Sequence, residues 1–332
     1  MTELSQNGTE NTTRSGSLAA LAGLRALVRN QAFSMLLILA LLWIVLGFLS
    51  PYFFTVDNLF EITLQTAVIA IIGAGMTFVI LSGGIDLSVG SVFACSAIVG
   101  GIVFTHTHSL VLAILATAGT GALYGLANGL LITLLRVPPF IGTLGMMGIA
   151  RGFALIFVNG VPIYGLERYK FLGQGKVLQI IPVPTVIVLV VFVLGYLVLT
   201  YTRFGRFTYV IGSNAEAARL SGISVRRTQM GIYATCGLLT GLASIIEAGR
   251  LGIVQPAGGN GYELLAIGAV IVGGASTFGG EGSIVATLIG AIIVTTIRNG
   301  LNILGVNAFW QYVVNGLVII GAVAADQFRR RR

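Results

Sequence analysis

Apolar stretches of about the length an α-helix needs to cross a bilayer, roughly 20 residues, recur along nearly the whole of this chain. They fall at about 33–49, 62–81, 88–104, 109–135, 140–158, 183–202, 228–247, 264–276, 283–298 and 308–325. A backbone placed in hydrocarbon must satisfy its own N–H and C=O groups, and a helix does so within one segment. The expected fold is an all-α polytopic membrane protein with about ten transmembrane helices. Composition agrees. Of the 332 residues, 56% are hydrophobic and 9% charged, against about a quarter charged in soluble domains; the mean hydropathy is +0.96. Residues 33–325 therefore read as one integrated membrane domain, with no stretch left over for a soluble catalytic domain.

The net charge of +8 would suit nucleic acid if it were gathered on a folded basic face. It is instead dispersed between apolar segments, which excludes that partner and points to membrane orientation. With the N-terminus inside, the cytoplasmic side receives 13 basic residues and the opposite side five, with Arg151 inside a span. The bias predicts both termini in the cytoplasm. Residues 1–32 are expected to form a polar cytoplasmic tail that ends in an interfacial helix carrying Arg25 and Arg29, and residues 326–332 a basic cytoplasmic tail. The first apolar segment is too long for a signal-peptide core and is expected to remain. The sequons at Asn7 and Asn11 lie in the expected cytoplasmic tail, where they would not be used. Cys95 and Cys236 sit far apart inside apolar runs and read as packing residues.

Several spans are short and bounded by glycine, above all 264–276. The segments 82–91 (Ser-Gly-Gly-Ile-Asp-Leu-Ser-Val-Gly-Ser) and 273–283 (Gly-Gly-Ala-Ser-Thr-Phe-Gly-Gly-Glu-Gly-Ser) are expected to break helices at membrane depth. Such backbone survives only where protein or a water-filled cavity satisfies it, so both are candidate pathway elements. Their similarity hints at an internal duplication. Gly121, Gly125 and Gly129 repeat every four residues, as do Gly148 with Gly152 and Gly237 with Gly241. These spacings suit close helix packing within one subunit.

The longest polar connection, 203–227, carries its own helix signals. Ser213 and Glu216 have capping-box spacing, alanines follow, and Gly222 suits a left-handed residue just past the helix. A plain connector anchored by arginines is the competing reading. Asp86 either caps the helix that starts near Ser88 or faces the pathway. Glu247 and Arg250 are spaced as a helix-face ion pair. Arg151 is open between snorkelling, intersubunit pairing and pathway lining. His106 and His108 have no Cys, Asp or Glu beside them and do not read as a metal site. No Gly-x-x-x-x-Gly-Lys-Ser/Thr occurs, so ATP hydrolysis is not expected on this chain, and no cofactor or metal is called for.

Ile211-Gly-Ser-Asn-Ala-Glu-Ala-Ala-Arg-Leu-Ser-Gly-Ile223 resembles the loop by which permeases of the ribose, branched-chain amino-acid and related ABC importers dock on their ATPase subunits. Gly75-Met-Thr-Phe-Val-Ile-Leu-Ser-Gly-Gly-Ile-Asp-Leu-Ser-Val-Gly-Ser91, Phe140-Ile-Gly-Thr-Leu-Gly-Met-Met147 and Gln255-Pro-Ala-Gly-Gly-Asn-Gly-Tyr-Glu-Leu-Leu-Ala-Ile267 extend the likeness over 33–325. Leu265 departs from it where many relatives carry an acid. The resemblance implies a type II ABC importer-like fold in which Asn214, Ala215, Ala217, Ala218, Arg219, Gly222 and Ile223 contact the ATPase. It also implies partners: cytoplasmic ATPase subunits, an extracellular or periplasmic substrate-binding protein, and a second permease copy as homodimer or heterodimer.

The function expected on these grounds is alternating-access import of a monosaccharide, ribose-like or another small sugar, across a bacterial cytoplasmic (inner) membrane. Asp86, Ser88, Asn128 and Thr143 are the candidate pathway contacts, since hydroxyl and amide groups suit a neutral polyol. The alternatives are an ABC permease for a non-sugar solute and an ion-coupled secondary transporter. The latter needs its own charge site at depth, and the intramembrane acids are few. An intramembrane enzyme would need a nucleophile with its base, or a metal pair, and neither constellation is visible.

Overall fold

The computed structural model describes residues 31–330. The interfacial helix expected before residue 32 and the end of the basic tail lie outside them. The helices are α1 Gln31–Leu49, α2 Val56–Leu81, α3 Val89–Thr107, α4 Leu110–Thr133, α5 Pro139–Ile156, α6 Lys170–Gln174, α7 Val183–Tyr201, α8 Arg203–Ser213, α9 Ala215–Leu220, α10 Val225–Leu251, α11 Tyr262–Val272, α12 Ile284–Ile303 and α13 Ala308–Arg330. A 3-10 turn, Glu167–Tyr169, leads into α6. A two-stranded hairpin of Lys176–Val177 (β1) and Ile181–Pro182 (β2) follows it. Among the described residues, seven helices are long and apolar enough to cross a membrane: α2, α3, α4, α5, α7, α10 and α12. The shorter apolar helices are Phe33–Leu49, Tyr262–Val272 and Ala308–Ala324. The apolar pattern thus located helices correctly, while α2 starts six residues before it. Thr55 caps α2 by accepting the Asn58 N–H, and Asp57 faces the positive end of the helix. This polar first turn is invisible to hydropathy.

α2 is the central element, buried along most of its length and in contact with α7, α10, α11 and α12. Its polar atoms are matched across helices. The Thr77 and Thr287 hydroxyls meet at 2.8 Å, and those of Thr66 and Thr295 at 2.6 Å. α4 and α10 make the closest helix pair. A β-carbon on Gly121 would stand 2.2 Å from the Gly237 carbonyl oxygen, and one on Gly125 would stand 2.1 Å from that of Tyr233. Lipid gives apolar helices no hydrophobic reason to associate, so direct backbone contact of this kind supplies the attraction. The glycine stripe on α5 behaves otherwise: added β-carbons at Gly148 and Gly152 meet nothing within 4 Å. Packing within the chain, expected for that pair, is therefore not its role. On the outside, α1 exposes Leu37, Ile38 and Leu41, and α7 exposes Leu189, Val190, Val193 and Leu194. An apolar exterior around an apolar interior is the arrangement a bilayer selects.

Both expected breaks are present, between α2 and α3 and between α11 and α12. They lie against each other. The Gly280 N–H donates to the Leu81 carbonyl at 2.9 Å, and Gly279 approaches Gly83.

Candidate functional site

The connection between α7 and α10 is built almost wholly of helix. Thr202 caps α8 through the Gly205 N–H at 3.1 Å, and α8 continues through Ser213. Ser213 is therefore not the cap of the next helix. Its hydroxyl bonds back to the Tyr209 carbonyl at 3.0 Å. Asn214, extended at φ −161°, caps α9 by accepting the Ala217 N–H at 2.9 Å. Glu216 takes no part in a capping box either. It receives Arg219 Nε at 2.9 Å and Nη2 at 2.6 Å. Those bonds hold the Glu216 carboxyl below the ordinary carboxylate range and raise Arg219 above its own. Gly222 takes the left-handed conformation expected of it, φ +80°, and the Ile223 N–H closes the turn onto the Ala218 carbonyl.

Six of the seven residues assigned to ATPase contact stand at least partly open on this turn: Asn214, Ala215, Ala217, Arg219, Gly222 and Ile223. Ala218 does not. It is fully buried against the rest of the chain and seats the helix instead of offering a contact. Leu220, 73% exposed at the helix end, is a contact candidate that small-residue reasoning passed over.

The seat of α9 is a three-way glycine junction. Where α8 ends, a β-carbon on Gly212 would fall 1.8 Å from the Leu81 carbonyl oxygen and 2.6 Å from the Gly280 nitrogen. Gly279 and Gly280, at φ +87° and +76°, turn the second break onto this point. Only residues without a side chain fit, and those with positive φ favour glycine on backbone grounds as well. The end of α8, which leads into the short helix α9, therefore bears directly on both broken segments.

Asp86, Ser88, Asn128 and Thr143 come together, though not on an open surface. Their exposures are 1% or less. Asp86 Oδ1 accepts the Ser88 N–H at 2.9 Å and the Ser88 hydroxyl at 2.6 Å, a local bond to the residue that precedes α3 and not to the first turn of that helix. Asn128 on α4 donates to the Ser88 hydroxyl at 2.8 Å and, at longer range, to both Asp86 oxygens. Thr143 on α5 accepts the Leu87 N–H at 3.2 Å and donates to the Pro139 carbonyl at 2.9 Å. The group ties the first break to α4 and α5 and leaves Asn128 Oδ1 buried without a hydrogen-bond partner among the described residues.

Arg151 makes a contact within the chain that none of its three expected roles named. Its Nη1 donates to the carbonyls of Pro256 at 2.7 Å and Gly258 at 2.9 Å, clamping the loop between α10 and α11. The expected ion pair is present and wider than expected. Arg250 bonds both Glu247 oxygens and also Glu61 at 2.5 Å, and Tyr262 donates to Glu247 at 3.2 Å. Among the described residues no group of three or more His, Cys, Asp or Glu side chains could hold a metal ion.

Residues 58–323 match the family of permease components of the branched-chain amino acid transport system. The chain belongs to this family. It is 44% identical over 297 residues to the ribose import permease of Escherichia coli (strain K12), covering 88% of this chain and 92% of that protein. It is 45% identical over 293 residues to the ribose import permease of Bacillus subtilis (strain 168), covering 87% and 90%. To the L-arabinose transport system permease of Escherichia coli (strain K12) it is 37% identical over 300 residues, covering 90% and 91%. No solved structure matches this chain. Within the permease, the residues that sequence reasoning missed are Leu220, Gly212 and Gly280. Leu220 had a usable signal as a large apolar side chain on a polar turn. The glycines gave none, since their meaning lies in which backbones they touch.

Proposed function

We propose that this permease is the membrane-spanning subunit of an ATP-binding-cassette importer that carries a monosaccharide, ribose-like or another small sugar, inward by alternating access. The observation that carries the mechanism is the capped, outward-facing turn at 214–223, seated through Gly212 on the two broken segments. A partner that pushes on α9 moves the backbone of both breaks at once. The sugar assignment is supported by the relatives, whose names are those of ribose, allose and arabinose permeases. In this reading the chain crosses a bacterial inner membrane ten times with both termini in the cytoplasm, and two copies, identical or paralogous, enclose the path. ATPase subunits dock at Asn214, Ala215, Ala217, Arg219, Gly222, Ile223 and Leu220, and a substrate-binding protein delivers sugar from outside. Asp86, Ser88, Asn128 and Thr143 serve the pathway from behind by holding the first break in place.

Uptake into proteoliposomes tests the reading. With the cognate ATPase and substrate-binding protein, uptake should require ATP. Arg219→Glu, which sets two carboxylates side by side on α9, should abolish uptake while insertion persists. Uptake driven by an ion gradient with this chain alone sinks the proposal.

A further inference from the structure

A cavity of about 230 Å³ opens at the far end of α10 from the docking turn. Glu247 lies 22 residues beyond Val225, about 33 Å along a helix, which spans a hydrocarbon core of roughly 30 Å. The cavity is lined by Glu247, Phe93, Gln255, Asn260, Tyr262 and Arg298. Arg298 also lines two adjoining cavities. Among the described residues its guanidinium has no carboxylate within ion-pair distance. Its cationic carbon lies 5.9 Å from the centre of the Tyr262 ring. Tyr262 is held on both sides, by its hydroxyl bond to Glu247 and by an edge contact with Phe93 at 5.2 Å.

We propose that this cavity is a monosaccharide subsite on the outer side of the permease; the inference rests on the importer reading and names where the sugar first meets this chain. An unpaired planar fork of donors, a carboxylate with spare acceptor capacity and two amides address hydroxyl groups that both give and take hydrogen bonds. The rings of Tyr262 and Phe93 supply apolar surface for the C–H face of a sugar. Both carboxylates nearby, Glu61 and Glu247, pair with Arg250, which leaves the Arg298 donors free for the hydroxyl oxygens of a ligand.

The test uses the complete complex in proteoliposomes with labelled D-ribose, D-allose and L-arabinose, and a thiol placed by Ala257→Cys on the exposed cavity rim. Both native cysteines are buried. At millimolar concentration, at least one transported sugar should slow modification of this thiol by an impermeant reagent at least threefold, and Arg298→Gln should remove that protection. Arg298→Gln and Tyr262→Leu should each lower uptake at least tenfold, with Arg298→Lys intermediate and the exposed Arg168→Gln unaffected. If the unmodified complex moves a sugar but that sugar does not protect the thiol, or if Arg298→Gln transports normally, the subsite is refuted and the importer reading stands. If the unmodified complex moves none of the three sugars with ATP, the underlying assignment fails.

Discussion

Gly212→Ala adds one methyl group at the junction between the turn at 214–223, proposed to dock the ATPase, and the broken helices. The new carbon would lie 1.8 Å from the Leu81 carbonyl oxygen, and ordinary contact begins at 3.4 Å. α8 and the end of α2 must therefore part by about 1.6 Å in an interior packed too densely to absorb it. Parting them strains the 2.9 Å bond from the Gly280 N–H to the same oxygen. An unmade buried hydrogen bond costs about 1–3 kcal/mol and overpacking a similar amount. The two overlap, and a combined cost of about 2–4 kcal/mol corresponds to roughly 30- to 800-fold in the population of the seated arrangement. Sugar uptake and ATP hydrolysis should be measured together on the reconstituted complex. Uptake per ATP consumed is expected to fall at least tenfold, while hydrolysis continues because the exposed face of α9 is untouched. Gly145→Ala, which meets nothing within 4 Å, serves as the control. An unchanged ratio in Gly212→Ala refutes the junction as the route of coupling.

Three further outcomes are expected. Asn214→Ala should remove the α9 cap at a cost of about 1 kcal/mol and raise amide exchange at Ala217 roughly fivefold, whereas Ser213→Ala should leave it unchanged. Arg151→Met should free the Pro256 and Gly258 carbonyls and speed hydrogen exchange across 255–261 about tenfold, read by mass spectrometry. Gly125→Ala, whose β-carbon falls 2.1 Å from a backbone oxygen, should lower the melting temperature in detergent by several degrees, and Gly148→Ala should not.

Hydropathy made the helices legible because each span carries its own apolar signal, and its failures are local. It shortened α2 since Asp57 and Asn58 in the first turn and Glu61 in the second make its start polar. The helical turn at 214–223 was legible in position but misread by one residue at its cap. Ser213 and Asn214 are both good capping residues, and the choice falls to Asn214 because α8, itself capped by Thr202, runs through Ser213. The role of Arg151 was unreadable, since its acceptors lie more than a hundred residues away in sequence. The stripes on α4 and α5 have the same spacing and opposite surroundings. Periodicity identifies a smooth face and says nothing of what lies against it. Asp86 was half legible: its bond to Ser88 is local, while Asn128 comes from another helix.

The contact between α4 and α10 has a mechanical consequence. With carbonyl oxygens lodged against facing glycines, neither helix can roll or slide past the other without collision, so the pair behaves as one stiff rod. One end begins beside the turn at 214–223 and the other carries Glu247 and Arg250. In the proposed importer, a tilt imposed at the first end is carried by the rod to the second.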